Sequence, residues 1–132
     1  MIGLDTNVVV RYIVQDDEKQ AAAATRLIEK ALSPENPGFI CLVTLAEIVW
    51  VLEECYQADR AKVAAVVEGL LFSRQLLVEQ AEIAWRAVRA WTGGSADLSD
   101  ALIAQVGLAA GCTKVATFDR AAAALEGFEL LR

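Results

Sequence analysis

Met1-Ile2-Gly3-Leu4-Asp5-Thr6-Asn7 opens the chain, and the run from Asn7 to Val14 continues almost wholly apolar, broken mainly by Arg11. Met1 to Leu4 reads as a short first strand, and the segment that follows suits a buried helix. Asp5 therefore stands just past the end of a strand, where a helix begins. The same construction recurs around Glu47, Asp100 and Asp119. Strands that alternate with helices in this way build a parallel sheet covered by helices on both faces. In an open parallel sheet the carboxyl ends of the strands share one edge, and ligands bind there. The fold expected is α/β, a three-layer α/β/α sandwich with a mainly parallel central sheet. Four carboxylates on one edge repel one another, and a divalent cation is the usual relief.

The rest of the chain keeps the alternation. Asp16, Asp17 and Glu18 are acids suited to a helix start, and Ala24, Leu27, Ile28, Ala31 and Leu32 form its expected inward face. Ser33 to Gly38 holds both prolines and reads as a loop. Phe39 to Val43 is a candidate buried strand. Thr44 is the expected cap of a helix that reaches about Tyr56 and turns Leu45, Ile48, Val49 and Leu52 inward. A helix from about Arg60, a short edge strand at Leu76 to Val78, and a helix with Ile83, Ala84, Ala87, Val88 and Trp91 inward come next. Gly93 and Gly94 break the pattern. A helix then runs from near Leu98 to Gly111, a glycine placed to cap it. Val115 to Thr117 is a strand leading to Asp119, and Phe128 to Leu131 is the last one.

Bulk properties narrow the chemistry. The chain has 132 residues, enough for one domain over 1–132, and 56% of them are hydrophobic. Mean hydropathy is +0.40, yet no apolar run is as long as a membrane span. The first residues lack a basic segment, so no signal peptide is expected and the location expected is cytoplasmic. Cys41, Cys55 and Cys112 are odd in number and lack metal-ligand spacing, and are expected to be reduced, buried thiols. The sequence contains no histidine. That removes Ser-His-Asp and Cys-His catalysis and leaves carboxylates, Lys, Tyr or activated water for proton transfer. A net charge of −6 argues against gripping nucleic acid with a broad basic face. Arg11, Lys114 and Arg120 are the candidate local contacts to such a substrate.

Each acid also has a plain structural reading. Asp5 and Asp119 suit helix caps. Thr44-Leu45-Ala46-Glu47 has the form of a capping box, with Glu47 reaching back to the backbone of Thr44. In Asp97-Leu98-Ser99-Asp100, Asp97 or Ser99 suits the cap and Asp100 the first turn, which leaves Asp100 the better ligand of the two. Thr6 and Thr117 are polar neighbours of the acids, suited to supporting them. Trp50, Trp85 and Trp91 are expected in the core or an interface.

Leu4-Asp5-Thr6-Asn7, Thr44-Leu45-Ala46-Glu47, Asp97-Leu98-Ser99-Asp100-Ala101-Leu102-Ile103-Ala104 and Thr117-Phe118-Asp119 agree in order and spacing with one family. The chain resembles PIN-domain proteins, in particular the VapC-type toxins of bacterial and archaeal toxin–antitoxin pairs. The resemblance implies an endoribonuclease that uses Mg²⁺ or Mn²⁺. Asp5, Glu47 and Asp100 would be the principal metal ligands, with Asp119 completing an acidic pocket and Thr6 in support. It also implies a homodimer, an RNA substrate (tRNA, rRNA or mRNA) and a separately encoded antitoxin partner.

Two other readings compete. A magnesium-dependent phosphatase or phosphotransferase would use Asp5 as nucleophile, but such enzymes commonly carry a second Asp where this chain has Asn7. A non-catalytic interaction domain would use the acids only as caps, and divalent metal would not change its melting temperature.

Overall fold

The computed structural model describes residues 1–132. The chain divides into two compact units, Met1–Glu79 and Gln80–Arg132. Strand β1 (Ile2–Gly3) leads through Leu4 and Asp5 into helix α1 (Thr6–Val14). Helix α2 (Glu18–Thr25) runs into a π-helical turn, Arg26–Ala31. Strand β2 (Gly38–Ile40), helices α3 (Leu42–Tyr56) and α4 (Arg60–Phe72) and strand β3 (Leu76–Val78) complete the first unit. Its sheet has the order β1-β2-β3, and both pairs are parallel, so β3 lies at an edge as expected.

The second unit holds helix α5 (Ala81–Thr92), helix α6 (Leu98–Ala109), strand β4 (Val115–Thr117), the short helix α7 (Arg120–Ala123) and strand β5 (Phe128–Leu130). β4 and β5 pair in parallel. The mixed α/β class with parallel strands is the one the alternation implied.

The inward faces follow helical spacing. Leu45, Ile48, Val49 and Leu52 of α3 are buried, as are Ile83, Ala84, Ala87, Val88 and Trp91 of α5. Trp85 is half-buried and Trp50 is 59% exposed, so only Trp91 lies fully in the core. α6 ends where expected. Gly111 adopts φ +105, the Cys112 N–H donates to the Gly107 carbonyl, and the Gly111 N–H donates to that of Leu108. This is the paired bonding of a Schellman cap, and its positive φ favours glycine.

Four expectations need correction. β2 stops at Ile40, and α3 begins at Leu42 with Cys41 as its N-cap, so Thr44 lies inside the first turn and Val43 is exposed. The capping box at Thr44 and Glu47 is therefore absent. Ala31 is exposed, because the π turn adds residues per turn and rotates it off the face that keeps Ala24, Ile28 and Leu32 buried. The three cysteines are free as expected, but Cys55 and Cys112 are exposed and Cys41 half-buried. No helix is long and apolar enough to cross a membrane.

Candidate metal-binding carboxylates

In the first unit the site is built around the end of β1. The Leu4 N–H donates to the Phe39 carbonyl at 2.8 Å, which holds the strand end against β2. One residue later Asp5 turns the chain into α1 with φ −78 and ψ 158, and its Oδ1 accepts the Thr6 N–H at 2.8 Å. The plain reading of Asp5 as a helix cap thus holds, and it occupies one carboxylate oxygen. Thr6 is buried, 7% exposed, and its hydroxyl donates to Glu47 Oε1 at 3.0 Å. Glu47 is on the exposed side of α3, well past its first turn. One threonine therefore bonds to both carboxylates, Asp5 through its N–H and Glu47 through its O–H.

The start of α3 explains why Glu47 is free for this. The Leu42 N–H at the head of the helix donates to Glu79 Oε1 at 2.9 Å, and Cys41 Sγ lies 3.3 Å from Thr44 Oγ1. Capping is supplied by an acid far away in sequence. Sequence reasoning missed Glu79, although it directly follows β3 and the rule of acids at strand ends would have singled it out.

In the second unit Asp97 takes the N-cap position of α6 without a side-chain cap bond. Asp100 lies in the first turn and is half-buried. Burial raises its carboxyl above the ordinary aspartate value; a backbone hydrogen bond from Asp97 opposes this, and the charges of Asp97 and Asp119 add to the rise. Asp119 caps α7, its Oδ1 accepting the Ala121 N–H at 2.8 Å and the Ala122 N–H at 3.3 Å. The Asp119 N–H in turn donates to Thr117 Oγ1 at 3.0 Å. This bond ties the Thr117 side chain to the Asp119 backbone.

Neither ion pair, Arg11–Asp16 or Lys114–Glu129, includes Asp5, Glu47, Asp97, Asp100 or Asp119. Within neither unit do three acidic or cysteine side chains come together as a ready-made metal cage. The donor set is all carboxylate and hydroxyl oxygen, which is the chemistry that hard cations such as Mg²⁺ and Mn²⁺ take. The mutual repulsion felt at Asp100 is the kind a cation relieves. The residues fit such an ion.

Two of the three basic residues read as substrate contacts are otherwise engaged. Arg11 donates to Gln20 Oε1 at 2.8 Å, to Tyr56 Oη at 3.2 Å and to Asp16 at 3.4 Å. Lys114 is ion-paired with Glu129. Arg120 is exposed and in neither ion pair.

An α/β chain with Asp5 and Asp119 just past the ends of β1 and β4, Glu47 and Asp100 on helices, and none of the four in an ion pair presents oxygen donors of the kind that divalent cations take. The PIN domain family model matches residues 2–127, and the chain belongs to the PIN-domain family. PIN domains are generally metal-dependent nucleases and generally use divalent metals such as Mg²⁺. No curated protein matches the chain.

Proposed function

We propose that the chain is a metal-dependent endoribonuclease, the toxin of a VapBC-type toxin–antitoxin pair. The observation that carries the reading is the bonding of Thr6 to both Asp5 and Glu47, in a chain of this family. A buried hydroxyl that fixes one acid and an amide that fixes the other hold the first unit's two carboxylates in set positions. Asp5, Glu47, Asp100 and Asp119 would be the metal ligands, with Thr6, Asp97 and Thr117 in support. When bound, Mg²⁺ or Mn²⁺ supplies Lewis-acid charge to the phosphodiester and lowers the pKa of water. The carboxylates carry the negative charge that holds the ion, and the chain offers no histidine to move protons in its place. Water as nucleophile, in place of the ribose 2′-hydroxyl, leaves 5′-phosphate and 3′-hydroxyl ends.

The finer identity rests on the resemblance of the four motifs to VapC-type toxins. It carries with it a homodimer, a separately encoded antitoxin and tRNA, rRNA or mRNA as substrate. The test is incubation with bulk tRNA and rRNA in Mg²⁺, Mn²⁺ or EDTA, beside Asp5→Ala. Cutting that needs metal and disappears in Asp5→Ala supports the reading. Cutting that persists in EDTA and in Asp5→Ala sinks it.

A further inference from the structure

The second unit has a cavity of about 400 Å³ lined by Phe118, Arg120, Leu130, Leu131 and Arg132. Of its lining, Leu130 and Leu131 lie at the end of β5, where Thr117 of β4 pairs with Leu130 in register and the Leu131 N–H donates to the Thr117 carbonyl at 2.8 Å. Phe118 stands at the rim and is 81% exposed. A phenylalanine left in water on a regular scaffold gains nothing for the fold, and its ring is open to a flat partner. Arg120 and Arg132 are exposed, and neither belongs to the ion pairs Arg11–Asp16 or Lys114–Glu129.

An aromatic face beside two guanidinium groups suits a ligand that is aromatic at one end and anionic at the other. A nucleotide has that form: bases stack on aromatic side chains whatever their identity, and Arg binds phosphate through its planar fork. Charge balance sharpens the choice. The chain carries −6 overall, so its general field repels a nucleic acid, and binding must come from local contacts. We propose that this cavity is a nucleotide subsite for single-stranded RNA, where Phe118 stacks an unpaired base and Arg120 and Arg132 hold a phosphate beside it. The role of the subsite rests on the nuclease reading, since Phe118 and Arg120 flank Asp119 in sequence. Its existence does not, because binding is measured without cutting.

The probe is a short fluorescein-labelled oligouridylate, titrated in EDTA by fluorescence anisotropy at several salt concentrations. Phe118→Ala weakens binding by about tenfold, the order expected for one lost base stack, and Phe118→Trp restores it. Arg120→Gln weakens binding and lowers the slope of log K against log salt by about 0.7, the loss of one phosphate contact. Arg86→Gln, which removes an exposed charge from α5, serves as the control. Absence of oligouridylate binding by the wild type overturns the proposal, as does wild-type affinity in Phe118→Ala. An Arg86→Gln effect equal to that of Arg120→Gln, or competition by oligoglutamate as strong as by unlabelled oligouridylate, overturns it too. Metal-dependent cutting together with unchanged binding in Phe118→Ala sinks the subsite alone. Phe118-dependent binding without cutting supports the subsite and sinks the nuclease reading.

Discussion

The hydroxyl of Thr6 lies 3.0 Å from Glu47 Oε1, a hydrogen bond between residues 41 apart in sequence. Thr6 is buried at the head of α1, and Glu47 is exposed on α3. The bond therefore orients an otherwise mobile surface carboxylate from a rigid position. The backbone N–H of the same residue holds Asp5. If Asp5 and Glu47 hold the ion as proposed, Thr6 is the kind of orienting partner that matters for affinity nearly as much as the ligands themselves.

Thr6→Val tests that role. Valine keeps the shape and the N–H but removes the hydroxyl. Expected are a loss of about ten- to a hundredfold in Mn²⁺ affinity by calorimetry or in cleavage rate, the usual scale for such orienting partners. Thr6→Ser keeps the donor and is expected near wild type. Equal affinity and rate in Thr6→Val would show that Glu47 needs no help from α1.

Asp100→Asn separates charge repulsion from metal binding. The Asp100 carboxyl is raised first by burial, then by Asp97 and Asp119. A raised acid holds its proton in the folded state where the unfolded chain has lost it, so its contribution to stability falls as pH climbs from the ordinary aspartate value through the raised one. Above that window the full cost of the buried charge remains. In EDTA, Asp100→Asn is thus expected to melt higher than wild type at neutral pH, with the gap closing as pH falls through the window. Saturating Mn²⁺ is expected to reverse the order, since binding at a hundred times Kd stabilises the wild type by about 2.7 kcal/mol. Melting curves with and without metal decide both points.

Asp5 and Asp119 were legible in the sequence because a strand-to-helix junction has a local signature: a short apolar run, an acid, then helical spacing. The core faces of α3 and α5 were legible for the same reason. Glu47 and Asp100 were expected at such junctions too, but Glu47 lies inside α3 and Asp100 follows helix α5 and a loop, with no strand before it, because a helix start reads alike after a strand or after a turn. What else escaped depended on distant partners. Thr44 and Glu47 have the spacing of a capping box, yet α3 starts three residues earlier, with Cys41 as its N-cap, and Glu79 reaches the Leu42 N–H from 37 residues away. Arg11 looked free to meet a substrate, but Asp16, Gln20 and Tyr56 engage it. Ala31 fitted an α-helical face and was displaced by a π turn, whose extra residue leaves no plain mark in the sequence.

Gly107→Ala probes the packing under α6. A Cβ at this position would lie 2.7 Å from Val115 Cγ2 on β4. Valine is stiff at χ1 and cannot swing away as a long side chain would. Alanine gains about 1 kcal/mol in helix propensity, while forced overpacking costs about 1–3 kcal/mol. The net expected is a loss of stability in urea unfolding. A gain would mean that β4 shifts freely against α6.

Tyr56→Phe isolates an acid-sensitive tie between helices. The Tyr56 hydroxyl donates to Asp16 Oδ2 at 2.6 Å and accepts from Arg11, joining the ends of α1 and α3 to the start of α2. The Asp16 carboxyl is held below its ordinary value of 3.8, first by that hydroxyl and then by the charge of Arg11. A lowered acid contributes stability above its unfolded value and loses it as pH falls through the folded one. Wild type is therefore expected to melt above Tyr56→Phe at neutral pH, with the difference shrinking only below the ordinary aspartate range. The phenylalanine ring keeps the packing, so a difference that ignores pH would come from something other than the Asp16 bond. Because Asp16 is exposed, high salt is expected to weaken the Arg11 share while leaving the short hydroxyl bond. Thermal melts across acid pH at low and high salt read both.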